Sequence, residues 1–213
     1  MATGIKLVNH KLNVIVHTGD GDCLAEGGNH FIHACRRNHD LTIMLHNNSL
    51  YALTTGQASP ATGKGVKTKS TPGGNLDEPI YPLALPIAAG ATFVARAFSG
   101  DMPKLTELMI EANNHRGLSV IDIIQPCITF GKDWTHNKIM ESIYYLGEEH
   151  DQENREQAFM KVANFDPNKI PLGIFYKVDK PSYESQIPQI SEKPLVDQEP
   201  NLENINELFK KYI

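Results

Sequence analysis

Short apolar runs alternate along the first 130 residues with stretches whose apolar residues recur at helical spacing. The runs are rich in β-branched residues and end at glycine or polar residues, which is typical of buried strands. The pattern predicts strands at 12–17, 40–45, 92–96 and 118–124. It predicts helices at 23–37, 83–91 and 102–114. Because right-handed crossovers leave successive strands parallel, this alternation predicts an α/β fold with a mostly parallel sheet flanked by helices.

The pattern changes beyond about residue 130, where the chain becomes more polar. It predicts helices at 137–146 and 152–163, a strand at 173–176, an extended tail at 181–200 and a terminal helix at 202–212. We therefore divide the chain into a core at 1–130 and a polar carboxyl-terminal extension at 131–213. The extension is expected to pack on the core or on a partner subunit.

Composition and charge are those of an ordinary soluble globular protein, with 40% hydrophobic and 21% charged residues. The sequence has no apolar run of about 18 residues and no amino-terminal leader pattern, which predicts a cytoplasmic protein without membrane contact. Its three cysteines show no pairing pattern and agree with a reducing compartment. A formal net charge of −5 without a basic run argues against nucleic acid as a partner.

Polar motifs follow the first two predicted strands. Gly19-Asp20-Gly21 comes directly after the first strand, and Asn47-Asn48 follows the second. Because the carboxyl ends of parallel strands meet at one edge of a sheet, we expect Asp20 and Asn48 to lie close together. A carboxylate, an amide oxygen and a backbone carbonyl suit Mg²⁺, and bare glycine N–H groups suit a diphosphate. Each motif alone is usually an ordinary turn or loop, but together they favour a metal–diphosphate site.

The two motifs resemble those of thiamine-diphosphate-dependent enzymes, and longer stretches make the resemblance more specific. The stretches are GDGDCLAEGGNHFIHACRRNHDLT, NNSLYALTTGQASP, TKSTPGGN and QPCITF. They resemble the beta subunits of 2-oxoacid:ferredoxin oxidoreductases over most of residues 2–130, and more weakly through IPLGIFY. The resemblance implies a thiamine-diphosphate-binding fold and oxidative decarboxylation of a 2-oxoacid to acyl-coenzyme A and CO₂, with electrons passed to ferredoxin.

The resemblance also implies roles for individual residues. Asp20 and Asn48 would bind Mg²⁺ through their side chains, and Leu50 would bind it through its carbonyl oxygen. The residues implied to contact the diphosphate end of the cofactor are Gly21, Asp22, Ala52 and Leu53. None of these is a general base. In the family, the carboxylate that activates the aminopyrimidine comes from the alpha subunit, so the resemblance implies a hetero-oligomer.

Two residues depart from the family pattern. Ala52 stands where the family usually has glycine, and its methyl group is tolerated only if the backbone φ there is negative. Glu26 stands where the family has a small or apolar residue. An unpaired carboxylate near a diphosphate would be repulsive and costly to bury.

Cys127 follows the fourth predicted strand and Pro126. A lone cysteine is usually a small buried hydrophobic residue, but the resemblance implies that Cys127 is one of four thiolate ligands of a 4Fe-4S cluster. The family's other three ligands lie in an amino-terminal region that this sequence lacks, and Cys23 and Cys35 fall on a predicted helix instead. We therefore expect an amino-terminally truncated chain with an incomplete cluster, weakened cofactor affinity and an exposed sheet edge.

Other polar features carry weaker expectations. The segment 54–75 is rich in Gly, Ser, Thr, Lys and Pro, and we expect an ordered start beside the cofactor and a flexible middle. His30 and His33 could share a helix face, but a zinc site is not favoured because no third ligand is evident. The histidines expected on the surface are His115, His136 and His150.

Three functions remain open from the sequence. The chain is a catalytic beta subunit or a fragment of one, a non-oxidative thiamine-diphosphate decarboxylase, or a non-catalytic remnant that keeps the fold. The stretches QPC and TKSTPGGN favour the first function over the second. The position of Met1, together with Glu26 and Ala52, favours the third. The identity of the 2-oxoacid is not decided by these residues.

Overall fold

The computed structural model describes residues 1–132, 134–199 and 203–211. Its strands are β1 (Ile15–Gly19), β2 (Leu41–Asn47), β3 (Leu50–Tyr51), β4 (Gln57–Ala58), β5 (Phe93–Phe98), β6 (Leu118–Ile124), β7 (Ile143–Tyr145) and β8 (Ile170–Lys177). Its α-helices are α1 (Ala2–Val8), α2 (Gly28–Arg37), α3 (Ala84–Ala89), α4 (Met102–Asn114), α5 (His136–Ser142), α6 (Arg155–Ala163) and α7 (Glu203–Lys210). A π-helical turn at Asp22–Glu26 precedes α2.

A mostly parallel sheet forms the centre of the described part of the chain, with strand order β1-β2-β6-β5-β8-β7. Strands β1, β2, β6 and β5 are parallel to one another, and β8 is antiparallel to β5. The carboxyl ends of four strands therefore meet at one edge of the sheet, which we call the carboxyl edge. The predicted α/β fold with a mostly parallel sheet is confirmed. Strands β3 and β4 form a separate antiparallel pair near this edge.

Helices cover both faces of the sheet and bury its apolar side chains. One apolar cluster joins β2, β5 and β6 to α2, α3 and α6, and its members include Phe31, Leu45, Ile87, Val120 and Val162. A second cluster packs α4 on the opposite face through Leu105, Leu108 and Ala112, with Met109 at its border. These residues form the inward face of α4. Its start is fixed by Asp101, whose side chain accepts a hydrogen bond from the Lys104 N–H at 3.2 Å.

The carboxyl-terminal region differs from two predictions. Helix α5 ends at Ser142, and residues 143–145 form β7 beside β8, so the helix predicted at 137–146 is wrong in its second half. Ile143 and the two tyrosines after it favour an extended strand once β8 offers a partner. The predicted extended tail is instead wound into 3₁₀ turns at Glu184–Gln186, Pro188–Ile190 and Leu195–Asp197.

Region 131–213 adds β7 and β8 to the same sheet as the core strands, while the division at residue 130 stays a prediction. The terminal helix lies at Glu203–Lys210, and the outer residues of the predicted range, Leu202 and Tyr212, lie outside the described residues. Among those described residues, no helix combines the length and the apolar character that crossing a membrane requires.

Two histidines expected on the surface are buried, because each finds a partner that is distant in sequence. His115 shares a 2.8 Å hydrogen bond with the Thr92 hydroxyl, and His150 bonds the Phe175 carbonyl at 2.8 Å. His136 is exposed as expected. His39 forms a buried pair with Glu184, with 2.6 Å between its Nδ1 and the carboxylate Oε1. This pair ties the first 3₁₀ turn of the predicted tail to the start of β2.

Candidate functional site

Asp20 and Asn48 lie side by side at the carboxyl edge. Asp20 follows β1 and is only 1% exposed, and Asn48 follows β2. Strands β1 and β2 pair in parallel, with Gly19 opposite His46. The Asn48 backbone N–H donates a hydrogen bond to Asp20 Oδ1 at 3.4 Å. The structure therefore brings together the two residues that the sequence predicts as metal ligands.

The Asp20 carboxylate is buried and has an altered pKa. Burial raises its pKa from 3.8 to about 6, although hydrogen bonds from Ser59 and Asn48 oppose the rise, and the charge of Asp122 adds to it. The Ser59 hydroxyl donates to the second carboxylate oxygen, Oδ2. A buried anion without a counter-charge is costly in free energy. A cation bound beside Asp20 would offset the cost of burying its carboxylate charge. This feature of the side chain fits a bound Mg²⁺.

The loop after β2 consists of two successive turns closed by asparagine side chains. Asn47 Oδ1 accepts hydrogen bonds from the Ser49 N–H at 3.1 Å and from its hydroxyl at 3.3 Å. Asn48 Oδ1 accepts from the Leu50 N–H at 3.1 Å. Ser49 has a left-handed backbone, with φ of +57°. An amide oxygen has two lone pairs, so Asn48 Oδ1 keeps capacity for a metal ion beside its bond to Leu50. We call residues 47–50 the metal loop.

The start of the long polar segment closes over the metal loop. The Thr62 hydroxyl donates to the Ser49 carbonyl and accepts from the Ser59 N–H at 2.8 Å. Asn75 is buried and its side chain donates to the Thr62 carbonyl at 2.9 Å. The ordered start expected for this segment matches these contacts. The sequence did not identify Ser59 or Thr62, because this segment is rich in Ser and Thr and no pattern distinguishes these two residues from the others.

The Gly-Asp-Gly turn and the metal loop are also joined by Tyr51. Its ring lies so close to Gly21 that a Cβ atom at that glycine would be 2.2 Å from the ring. Its hydroxyl donates to the two carboxylate oxygens of Glu26, each at 3.2 Å. Glu26 therefore has a hydrogen-bond donor and is not the unpaired carboxylate that the sequence suggested. The backbone φ of Ala52 is not positive, so the condition for tolerating its methyl group is met.

Asp22 and Leu53, the other residues predicted to contact the diphosphate, are exposed at this edge. Asp22 Oδ2 accepts a hydrogen bond from the Gly19 N–H at 3.3 Å. Leu53 is 98% exposed, so its side chain has no packing role within the described part of the chain. Both side chains are thus available to a ligand or to another polypeptide.

A cavity of about 1180 Å³ opens at the carboxyl edge, from the metal loop to Arg96. Its apolar wall includes Phe130, Trp134 and Phe165. The lysines that line it are Lys64, Lys67, Lys69, Lys132 and Lys138. Lys64 is paired with Glu78 at the surface. A cavity of this size with several positive side chains suits an anionic ligand of cofactor size.

Two buried charged residues, Asp122 and Arg96, stand behind Asn47 and were missed in the sequence. Asn47 Nδ2 donates to Asp122 Oδ1 at 3.0 Å, and Arg96 Nε donates to Asp122 Oδ2 at 2.8 Å. The Asp122 side chain is 0% exposed and that of Arg96 3%. A charged residue inside the apolar run 118–124 was the available signal, because an unpaired charge is almost never fully buried.

Cys127 is half-buried just beyond β6, and its sulfur accepts a hydrogen bond from the Phe130 N–H at 3.4 Å. Cys23 and Cys35 are buried in the core instead, and burial raises the pKa of the Cys23 thiol to about 12. Among the described residues, no group of three or more His, Cys, Asp or Glu side chains could hold a metal ion. Cys127 therefore belongs to no such group among these residues, and its role stays a prediction.

Comparison with known proteins agrees with this geometry. Residues 1–123 match the family model of the thiamine pyrophosphate enzymes that describes their C-terminal TPP binding domain. Residues 127–192 match the family model that describes the C-terminal part of the pyruvate ferredoxin oxidoreductase beta chain. The two family models meet close to the end of β6, so together they span the core strands and much of the carboxyl-terminal region.

Two curated relatives and one solved structure are similar to this chain. Subunit beta of 2-oxoacid:ferredoxin oxidoreductase 1 from Aeropyrum pernix is 41% identical over 216 residues, which cover 96% of this chain and 68% of the relative. The 2-oxoglutarate synthase subunit KorB of Archaeoglobus fulgidus is 54% identical over 129 residues, 60% of this chain and 48% of the relative. The 2-oxoglutarate:ferredoxin oxidoreductase from Magnetococcus marinus, solved with 2-oxoglutarate, coenzyme A and succinyl-CoA bound, matches with a TM-score of 0.89 at 30% identity. That match covers 100% of this chain and 72% of the solved chain.

Proposed function

The chain belongs to the beta subunits of the 2-oxoacid:ferredoxin oxidoreductases, and from this premise we propose that it binds thiamine diphosphate through Mg²⁺ at its carboxyl edge. Together with an alpha subunit, it serves the oxidative decarboxylation of a 2-oxoacid to acyl-coenzyme A and CO₂, with ferredoxin as the electron acceptor. The names of the relatives support the reaction, and the ligands of the Magnetococcus structure support the 2-oxoacid and coenzyme A as reactants.

The observation that carries the proposal is the buried Asp20 carboxylate facing the metal loop. It is 1% exposed, it accepts a hydrogen bond from the Asn48 backbone, and burial raises its pKa to about 6. Asp20 and Asn48 would hold Mg²⁺ through side-chain oxygens, and Leu50 through its carbonyl oxygen. Gly21, whose missing side chain makes room for the Tyr51 ring, would contact the diphosphate through its backbone.

The chain's own residues bind and orient the cofactor. When bound, thiamine diphosphate supplies the nucleophilic carbon and the electron sink for decarboxylation. Ala52 and Leu53 would border the diphosphate end, and the lysines of the cavity would attract anionic reactants. No residue of this chain is assigned as a general base. Cys127 is proposed as one thiolate contact to a 4Fe-4S cluster, and no step is assigned through that cluster because this chain does not complete its ligands.

The two alternative functions are weaker on specific grounds. The Aeropyrum relative and the solved Magnetococcus protein are named oxidoreductases, so the family does not favour a non-oxidative decarboxylase. A non-catalytic remnant was suggested by the position of Met1 together with Glu26 and Ala52. Glu26 accepts a hydrogen bond from Tyr51, and Ala52 has no positive φ, so neither residue opposes cofactor binding by itself.

Calorimetry with thiamine diphosphate and Mg²⁺ tests the proposal. The full chain should bind the cofactor in the presence of Mg²⁺ and lose binding when EDTA is added. Asp20→Asn should weaken binding by more than about 100-fold, because it removes the negative charge of a direct metal ligand, whereas losing an outer partner costs about 10- to 100-fold. The matched control is Asp197→Asn, which makes the same change at an exposed aspartate and should bind like the wild type. Equal binding by wild type and Asp20→Asn would refute the metal assignment.

A further inference from the structure

A row of buried polar side chains runs beneath the metal loop, across three neighbouring parallel strands. Asn47 ends β2, Asp122 lies in β6, and Arg96 lies in β5 opposite Asp122 in register. All three are nearly inaccessible, with exposures of 4% for Asn47, 0% for Asp122 and 3% for Arg96. None of them is among the predicted ligands of the ion, so the proposed function leaves this row unexplained.

The contacts of the row give the Asn47 amide a single direction. Its nitrogen donates to Asp122 Oδ1 at 3.0 Å, so its oxygen faces the opposite way, toward Ser49. Arg96 pairs with the other Asp122 oxygen at 2.8 Å and thereby compensates its charge. A buried ion pair of this kind adds little net stability, but it fixes the direction of the groups that bond to it. Here the group whose direction is fixed is the Asn47 amide.

Ser49 is the residue whose backbone needs this support. Its φ of +57° is left-handed, which glycine adopts freely and which an L-residue adopts at a cost. That cost corresponds to about a five- to thirtyfold change in an equilibrium constant. Ser49 lies between Asn48 and Leu50, so its φ decides whether the Asn48 side chain and the Leu50 carbonyl point the same way. The Asn47 oxygen holds Ser49 through both its N–H and its hydroxyl.

We propose that Asn47, anchored by Asp122, is a positioning residue that keeps Ser49 left-handed, so that Asn48 and Leu50 face one metal ion. The inference rests on the proposed function, because it assigns a role toward the same Mg²⁺. It goes further by placing control of metal affinity in residues that do not touch the ion. Partners that orient metal ligands typically change metal affinity about 10- to 100-fold when they are lost.

A matched pair of substitutions at Ser49 tests the backbone part of the proposal. Ser49→Gly and Ser49→Val both remove the hydroxyl and keep the N–H, but only glycine accepts a left-handed backbone without strain. Thiamine diphosphate binding can be followed through Trp134, the single tryptophan of the chain, because it lines the cavity. Ser49→Val should raise the Mg²⁺ concentration for half-maximal binding at least about fivefold, and Ser49→Gly should not.

Asn47→Ala tests the positioning residue itself. Alone, it should raise the half-maximal Mg²⁺ concentration about 10- to 100-fold. In the Ser49→Gly background the same change should cost several-fold less, because glycine no longer needs the support of Asn47. If Asn47 only supported the fold, Asn47→Ala would lower the urea concentration at the midpoint of unfolding, and Ser49→Gly would not reduce its effect on binding. The Ser49 pair lies on a half-buried loop and gives an answer even if Asn47→Ala does not fold.

The outcomes separate this inference from the proposed function. The positioning role is overturned if Asn47→Ala binds within about twofold of the wild type, or if Ser49→Gly and Ser49→Val lose binding equally. In that case the wild type still binds and Asp20→Asn still does not, so the cofactor site stands. If the wild type itself shows no Mg²⁺-dependent binding, the proposed function fails, and the positioning role fails with it.

Discussion

The buried charge of Asp20 should lower the free energy of unfolding of the chain without Mg²⁺ and cofactor. Removing that charge should raise the free energy of unfolding. The side chain is 1% exposed, and burial raises its pKa from 3.8 to about 6. A shift of about two units corresponds to about 3 kcal/mol between the charged and neutral forms. Asp20→Asn keeps the shape of the side chain and an oxygen that accepts from the Asn48 N–H. Its amide NH₂ can donate to the Ser59 hydroxyl oxygen. The variant should therefore exceed the wild type in free energy of unfolding by about 3 kcal/mol at pH 8.

The sign of the pH dependence follows from the raised pKa. Below pH 3.8 the carboxyl is protonated in both states and costs nothing. As the pH rises toward 6, the unfolded chain ionises first, so the wild type loses stability through this window. The advantage of Asp20→Asn should consequently fall to about 1.5 kcal/mol at pH 5. Adding Mg²⁺ and thiamine diphosphate should stabilise the wild type alone and narrow the gap.

Urea unfolding at pH 5 and pH 8, followed by circular dichroism, measures these differences. Asp197→Asn serves as the control, since this aspartate is exposed and should change stability little at either pH. An Asp20→Asn variant that is no more stable than the wild type at pH 8 would refute the reasoning. So would an advantage of the same size at both pH values, because the effect would then not come from ionisation.

Two further substitutions probe other contacts. Gly21→Ala should lower the free energy of unfolding by about 1–3 kcal/mol, because the new methyl group would meet the Tyr51 ring. In a Tyr51→Ala background, the loss of free energy measured by urea unfolding should be clearly smaller. An equal loss in both backgrounds would contradict the clash with the ring. Glu184→Gln should lower stability by about 1–3 kcal/mol at pH 7, since it weakens the buried contact with His39. Burial opposes ionisation of Glu184, but the His39 contact outweighs it and lowers the pKa of Glu184. The stability that the ionised Glu184 contributes should therefore be lost as the pH falls below 4.5. Urea unfolding at pH 7 and pH 4 measures the difference between wild type and Glu184→Gln, and an equal difference at both pH values would contradict this expectation.

The sheet and its helices could be predicted largely because each depends on local pattern. The run at 118–124 is apolar throughout most of its length and forms β6 with the predicted bounds, and α4 matches its predicted range at both ends. The helix predicted at 137–146 failed where the decision was not local. Ile143 and its neighbours form a strand only because β8 lies alongside and offers a row of backbone partners.

The candidate site was partly visible for the same reason. Asp20 and Asn48 could be expected to lie together because the crossover rule alone makes their strands parallel. Ser59, Asp122 and Arg96 could not be connected to them, since each reaches the site across a separation that no spacing encodes. The partners of His115 and His150 were hidden in the same way.

The sequence by itself determined the α/β class, the order of the elements and the two residues at the carboxyl edge, because periodicity, turn chemistry and crossover handedness act over short stretches of chain. The tertiary structure decided how charged Asp20 can be, which way the Asn47 amide points, and what Glu26 and Glu184 bind. Desolvation and hydrogen bonding depend on which atoms surround a group in space, and those atoms come from segments that only packing brings together.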